Sequence, residues 1–133
     1  MSQDIYILAG ARTAMAEYSG TPGYGKFKSV TAIDLGAHAT KAALERAQIE
    51  PGAVNHVVMG NALQTSKDAI YGARHVGLKA GLPIECPALP INRICGSGIQ
   101  SVVSAARIMM LGEANITVAG GIENMSQAPH ILR

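Results

Sequence analysis

The residue best placed to do chemistry is Cys95, in the stretch Ile91-Asn92-Arg93-Ile94-Cys95-Gly96-Ser97-Gly98. A short apolar run ends there, a small-residue turn follows, and a long apolar helical pattern begins. A thiol at the start of a helix faces unpaired backbone N–H groups and the positive end of the helix dipole, which favours the nucleophilic thiolate. Gly96 and Gly98 remove side-chain bulk on either side of Ser97, so a planar group such as a thioester has room to approach the sulfur. The backbone N–H of Cys95 can then face a developing oxyanion. The chemistry suggested is acyl transfer through a covalent thioester. Spacing alone leaves open the plainer reading of a small buried cysteine at a strand-to-helix junction.

The other reactive side chains lack such a setting. Cys86 stands in Ile84-Glu85-Cys86-Pro87 before a strand and is expected to be a buried structural thiol, an internal control for Cys95. His38, His56, His75 and His130 have no partner fixed by sequence and are expected to be structural or solvated. Two cysteines give no disulfide framework, and without a CxxC, HExxH or His-Cys cluster there is no ligand set for a metal. Gly120-Gly121, followed by Ile122-Glu123-Asn124-Met125-Ser126, reads either as a strand-end turn beside a ligand or as a tight chain reversal.

The elements that must hold these residues follow an α/β pattern with a mostly parallel sheet. Four short strands are expected, at Ile5–Ala9, His56–Met59, Ala88–Ile91 and Ile116–Ala119. Three crossover helices are expected, at Ala32–Ala47, Ile70–Ala80 and Ser97–Leu111, each stopped by a nearby Gly or Pro. The first helix opposes Asp34, Lys41, Glu45 and Arg46 to an apolar face, whereas the third is apolar nearly all round. Such a helix calls for burial on most sides, between sheets or against another polypeptide. Thr13 to Thr31, with Gly20, Pro22, Gly23 and Gly25, reads as a long loop whose Lys26 and Lys28 are solvated rather than phosphate-binding.

Composition sets the outer bounds. A chain of 133 residues is one domain's worth, so a second complete domain is not expected. Hydrophobic residues at 48% against 15% charged exclude disorder, and a net charge of +2 with 4% aromatics argues against a nucleic-acid groove. The N-terminus lacks the pattern of a signal peptide, and apolar runs fall short of the ~18 residues of a bilayer span. No membrane association and a cytoplasmic location are the resulting expectations.

Taken together, these stretches resemble the N-terminal part of the thiolase family, the acetyl-CoA acetyltransferases and 3-ketoacyl-CoA thiolases. The resemblance rests on A-G-A-R-T-A at Ala9–Ala14, A-I-D-L-G at Ala32–Gly36 and V-V-M-G-N-A-L-Q at Val57–Gln64. It continues through G-L-P at Gly81–Pro83, I-N-R-I-C-G-S-G at Ile91–Gly98 and A-G-G-I-E-N-M-S-Q-A-P at Ala119–Pro129, in the family's order over nearly the whole chain. It implies a βαβαβαβ half-domain of an αβαβα sandwich, with the cysteine-bearing helix buried between sheets. It further implies that Cys95 is the nucleophile and an oxyanion donor, that acetyl-CoA or another acyl-CoA and CoA are the substrates, and that no metal or redox cofactor takes part.

The chain departs from the family by ending at Arg133, where a loop domain would begin. The expected unit is therefore a partial N-terminal domain, residues 1–133, without the loop domain or the C-terminal domain. The family's G-H-P histidine, N-E-A asparagine and C-x-G acid/base cysteine have no counterparts here. Activity is expected only with a second polypeptide or the missing C-terminal half, in an assembly that is a homodimer or homotetramer. Thr13 to Ser29 is also longer than the family's stretch and lacks a proline after Thr13, which bears on acyl-chain preference. Two alternatives stand beside this reading: an inactive thiolase-like interaction module, and a related ketosynthase-type condensing enzyme.

Overall fold

The apolar run His56–Gly60 forms the central strand, β1, of a three-stranded parallel sheet. The computed structural model describes residues 4–17 and 23–132. Strand β2 (Ala88–Ile91) lies on one side of β1 and β3 (Thr117–Gly121) on the other, giving the order β2-β1-β3. The register sets Val57 beside Ala88 and Val118, and Gly60 beside Ile91 and Gly121. Pro90 cannot donate to a ladder, and it is accommodated because β2 pairs on one side only.

Helices α1 (Ala32–Ala47) and α2 (Gly72–Ala80) pack on each other and cover one face of the sheet, while α3 (Ser97–Met110) covers the other. This division follows from connectivity: the β1-to-β2 and β2-to-β3 crossovers run in opposite directions across the sheet, so one handedness puts their helices on opposite faces. Side-chain alternation along β1 matches it. Val57 and Met59 enter the core with Ile33, Leu44, Val76 and Leu82, whereas Gly60 lies against α3. Removing each such valine or methionine from water is worth about 2 kcal/mol.

Local signals set the helix ends. Thr31 Oγ1 accepts from the Asp34 N–H at 3.0 Å and donates to the Asp34 carboxylate at 2.6 Å, capping α1. Left-handed Gly81, at φ 93°, ends α2, and the Leu82 N–H bonds back to the Gly77 carbonyl at 3.0 Å. Asp34 also pairs with Lys79 across α1 and α2, which together with Thr31 holds its carboxyl below the usual range.

One expectation requires correction. Ile5–Ala9 forms no strand, so the observed order lacks the first β of βαβαβαβ. An apolar run alone does not make a strand, which also needs a ladder partner, and among the described residues nothing pairs with this segment. Tyr6, Ile7 and Leu8 are exposed, and the segment is tied to α1 through Arg46, which donates to the Gly10 carbonyl at 2.7 Å. Among the described residues α3 is covered on its sheet side alone, which leaves open the face expected to lie against a further sheet or another polypeptide. Its sheet-facing stripe is Ser97, Ser101 and Ala105, while Ile99 is 77% exposed and Met110 61% exposed. The loop expected from Thr13 to Thr31 is irregular where described; Gly20 and Pro22 lie outside the described residues. Among the described residues no helix is long and apolar enough to cross a membrane.

Candidate active site

Three loops leave the C-terminal ends of the parallel strands and meet at one end of the sheet, where ligands of open α/β folds gather. They are residues 61–65 after β1, 92–96 after β2 and 122–127 after β3. Cys95 stands on the second, exposed, just before α3.

The turn carrying it is an elbow. Ile94, immediately before Cys95, has φ 52°, a left-handed conformation that is an outlier for a β-branched residue. Neighbouring polar groups hold it there. Asn92 Oδ1 accepts from the Ile94 N–H at 2.8 Å. Ser97 Oγ accepts from the Arg93 N–H at 2.8 Å and donates to the Ile94 carbonyl at 2.7 Å. The Gly96 and Ser97 N–H groups close the turn onto the Arg93 and Ile94 carbonyls at 3.0 and 3.1 Å. Such a conformation costs free energy and persists only where its neighbours over-determine it.

Close packing seats the elbow on the sheet. A Cβ on Gly60 would lie 2.6 Å from the Ser97 backbone, so only glycine lets α3 begin this close to β1. A Cβ on Gly121 would sit 3.5 Å from the Gly98 Cα. At Gly98 a Cβ would meet nothing, so the first turn of α3 is open on that side.

The stretch after β3 stitches the loops together. Glu123 takes the N–H groups of Ala62 and Leu63 at 2.9 and 2.8 Å and the Asn61 amide at 3.1 Å. Buried Asn124 donates to the carbonyls of Phe27 and Val30 at 2.8 and 2.6 Å and accepts from the Ser126 N–H at 3.1 Å. Of the two readings open for Gly120 to Ser126, the segment is thus more than a chain reversal: it fixes the loop after β1 and the 27–30 turn.

Cys86 lies at the other end of β2. It is 6% exposed within the core, and burial pushes its thiol up from the ordinary value while nearby Arg74 draws it back down. Arg74 donates to the carbonyls of Cys86 and Ile84 at 2.7 and 2.5 Å, holding the chain entering β2. The histidines are engaged elsewhere or solvated: His75 faces Asp68 and Tyr71, His56 Nδ1 approaches the Val57 carbonyl, and His38 and His130 are exposed. Lys26 and Lys28 are exposed. Two clefts, of 390 and 480 Å³, lie around α1, and Cys95 lines neither. Among the described residues no group of three or more His, Cys, Asp or Glu side chains converges.

Sequence reading singled out Cys95 but gave no role to Asn92, Ser97 and Gly60, which shape the elbow and seat it on the sheet, or to Glu123, which holds the loop after β1. Asn92, two residues before Ile94, carries a local turn signal. Glu123 carries none, since its partners are about sixty residues away.

Comparison with known proteins places these features. Residues 5–133 match the family model described as "Thiolase, N-terminal domain". The chain is 47% identical over 129 residues to a human mitochondrial 3-ketoacyl-CoA thiolase and 46% identical over 129 residues to an acetyl-CoA acetyltransferase of Cupriavidus necator. In both cases 97% of this chain is covered, and it spans 31% of the relative's length. The crystal structure of the human mitochondrial 3-ketoacyl-CoA thiolase in complex with CoA superposes with a TM-score of 0.86 at 48% identity, covering 95% of this chain and 31% of that one. A thiolase from Ascaris suum in complex with coenzyme A gives 0.87 at 27% identity, covering 98% of this chain and 33% of that one.

Proposed function

The chain belongs to the thiolase family, through its N-terminal domain, and from that premise we propose that it supplies the acyl-accepting nucleophile, Cys95, of a thiolase-type acyltransferase. The observation that carries this reading is the exposed thiol on a strained elbow, at the strand ends where the three loops meet. The Cys95 thiolate attacks the carbonyl carbon of an acyl-CoA, forming a new C–S bond and an oxyanion toward which the Cys95 N–H points a dipole. The oxyanion collapses, the bond to the CoA sulfur breaks, and the departing thiolate takes up a proton. An acyl-enzyme thioester remains.

In the synthetic sense, the C2 carbanion of acetyl-CoA then attacks that thioester, forming the C–C bond of a 3-ketoacyl-CoA and expelling the Cys95 thiolate. In the thiolytic sense, Cys95 attacks the C3 carbonyl of a 3-ketoacyl-CoA instead, the C2–C3 bond breaks, acetyl-CoA leaves and takes up a proton at C2, and CoA then attacks the acyl-enzyme thioester and releases acyl-CoA. Either way Cys95 is regenerated, and neither half-reaction calls for a redox cofactor or a metal. Acid/base groups for the proton transfers come, in this proposal, from a C-terminal half or second polypeptide, in a homo-oligomeric assembly. Two features support that: the chain spans 31% of the length of its relatives, and α3 turns Ile99 and Met110 outward. The same apolar face favours a second reading, an inactive thiolase-like module that uses it only to bind. The relatives include a protein named mitochondrial and a bacterial one, so likeness does not select the cytoplasm over the mitochondrion.

The deciding experiment is incubation of the whole protein with acetyl-CoA, quenching in acid, and intact-mass measurement with the modified residue located by fragmentation. An acetyl group on Cys95 is expected. A protein that stays unmodified while its partner-binding persists favours the module.

A further inference from the structure

We propose that Glu123 is a positioning residue for Cys95, acting on the elbow through the loop after β1 and through Asn92. This rests on the reading of Cys95 as nucleophile. Glu123 is exposed and fills no core, yet its two carboxylate oxygens take the N–H groups of Ala62 and Leu63 and the Asn61 amide, at 2.8 to 3.1 Å. That clamp fixes where the Ala62 carbonyl points. The carbonyl accepts from Asn92 Nδ2 at 3.1 Å. The other end of the same side chain, Oδ1, holds the N–H of left-handed Ile94 at 2.8 Å, one residue before Cys95. One amide group therefore ties the loop after β1 to the strained residue that aims the thiol.

Each link uses its own atoms, so the chain can be cut at a chosen point. A carboxylate only accepts, and this one faces donors at both oxygens; a glutamine presents an NH2 group to one set of them. Glu123→Gln thus unseats the loop without changing side-chain volume. Asn92→Asp keeps the acceptor for Ile94 but replaces the donor to Ala62 by a second acceptor. With the clamp open, Asn92 can turn, Ile94 can relax toward negative φ, and the thiol leaves its attack direction. A misplacement of about 1 Å costs roughly a hundredfold in a reaction that depends on alignment.

The test is the rate of Cys95 acetylation by acetyl-CoA in the whole protein, for Glu123→Gln, Asn92→Asp and the double variant, with buried Cys86 as an internal reporter of unfolding. Each single variant is expected to be slower by about tenfold. The double is expected to be about as slow as either single, because both cut one chain, and iodoacetamide labelling of Cys86 is expected to be unchanged. Losses that multiply in the double, rates within about threefold of the parent, or a matching rise in Cys86 labelling would each overturn the proposal. If the parent itself accepts no acetyl group, the reading of Cys95 fails instead. Iodoacetamide labelling of Cys95 then decides for Glu123: a change of about threefold or more in Glu123→Gln, with Cys86 unchanged, sustains the positioning role, and a smaller change overturns it.

Discussion

The two cysteines sit at opposite ends of one short strand and have opposite characters. Cys86 enters β2, buried beneath α2, with its carbonyl held by Arg74 and its thiol pushed toward the neutral form by burial. Cys95 follows β2, exposed on an elbow whose backbone is bent past the ordinary range. Residue type does not separate them; strand direction does. In a parallel sheet the N-terminal ends of the strands receive helix C-termini, whereas the C-terminal ends launch helices and present their unpaired N–H groups. A thiol at the first end is a core residue. A thiol at the second is available for chemistry.

The largest expected effect breaks the comparison outright: Cys95→Ala should abolish acyl-enzyme formation and lower acyl transfer by about a thousandfold or more, read as acetyl incorporation by mass spectrometry. Cys86→Ala should leave incorporation within about twofold. Next is Gly60→Ala, whose methyl would meet the Ser97 backbone. Overpacking there should cost about 1–3 kcal/mol in a denaturant titration and slow Cys95 acetylation more than it speeds Cys86 labelling. Cys86→Ala itself should cost about 1–2 kcal/mol, since it deletes a buried atom group from the core.

Smaller still, Ile94→Gly should relieve the left-handed penalty of about 1–2 kcal/mol, against about 0.5–1 kcal/mol lost to the freer unfolded chain. Thermal melting should rise slightly while acetylation slows, a sign that the strain serves aim rather than stability. The smallest effect is alkaline. The unfolded Cys86 thiol ionises near its ordinary value of 9.0, and the folded one above it. Between those values the unfolded state releases the proton first, so the stabilising contribution, full below pH 9, is lost as pH rises through the folded value. Cys86→Ala should flatten that part of the stability-versus-pH curve.

The central strand, the cysteine strand and all three helices were legible because each carries a local signal: an apolar run, a helical period, a nearby stopping Gly or Pro. Helix α1 spans the expected Ala32–Ala47, and α2 starts two residues later than its pattern, after a short 3-10 turn at Ala69–Tyr71. Ile5–Ala9 misled because apolarity does not encode pairing. Which face of α3 meets the sheet was not legible, since apolar residues nearly encircle it and the buried stripe is made of the small residues Ser97, Ser101 and Ala105. Ser101 is fully buried, its hydroxyl returned to the Gly98 carbonyl at 2.6 Å, which is what lets a helix lie so close to strands ending in glycine. Cys95 was legible from its own neighbours. Glu123 and Asn124 were not, because their partners lie on loops distant in sequence.

The strand order has a consequence for how the molecule is made. Strand β1 is synthesised first, yet both its ladders wait for later residues: Val57 for Ala88, and His56 for Thr117, 61 positions on. At translation rates of about 5–20 residues per second, the second ladder lags the first appearance of β1 by roughly 3–12 seconds. Throughout that interval Val57, Val58 and Met59 have at least one open edge, and α3 emerges before the strand β3 on which it will also pack. The nascent chain therefore presents its stickiest surfaces during elongation, and chaperone dependence should peak between the emergence of β2 and that of β3.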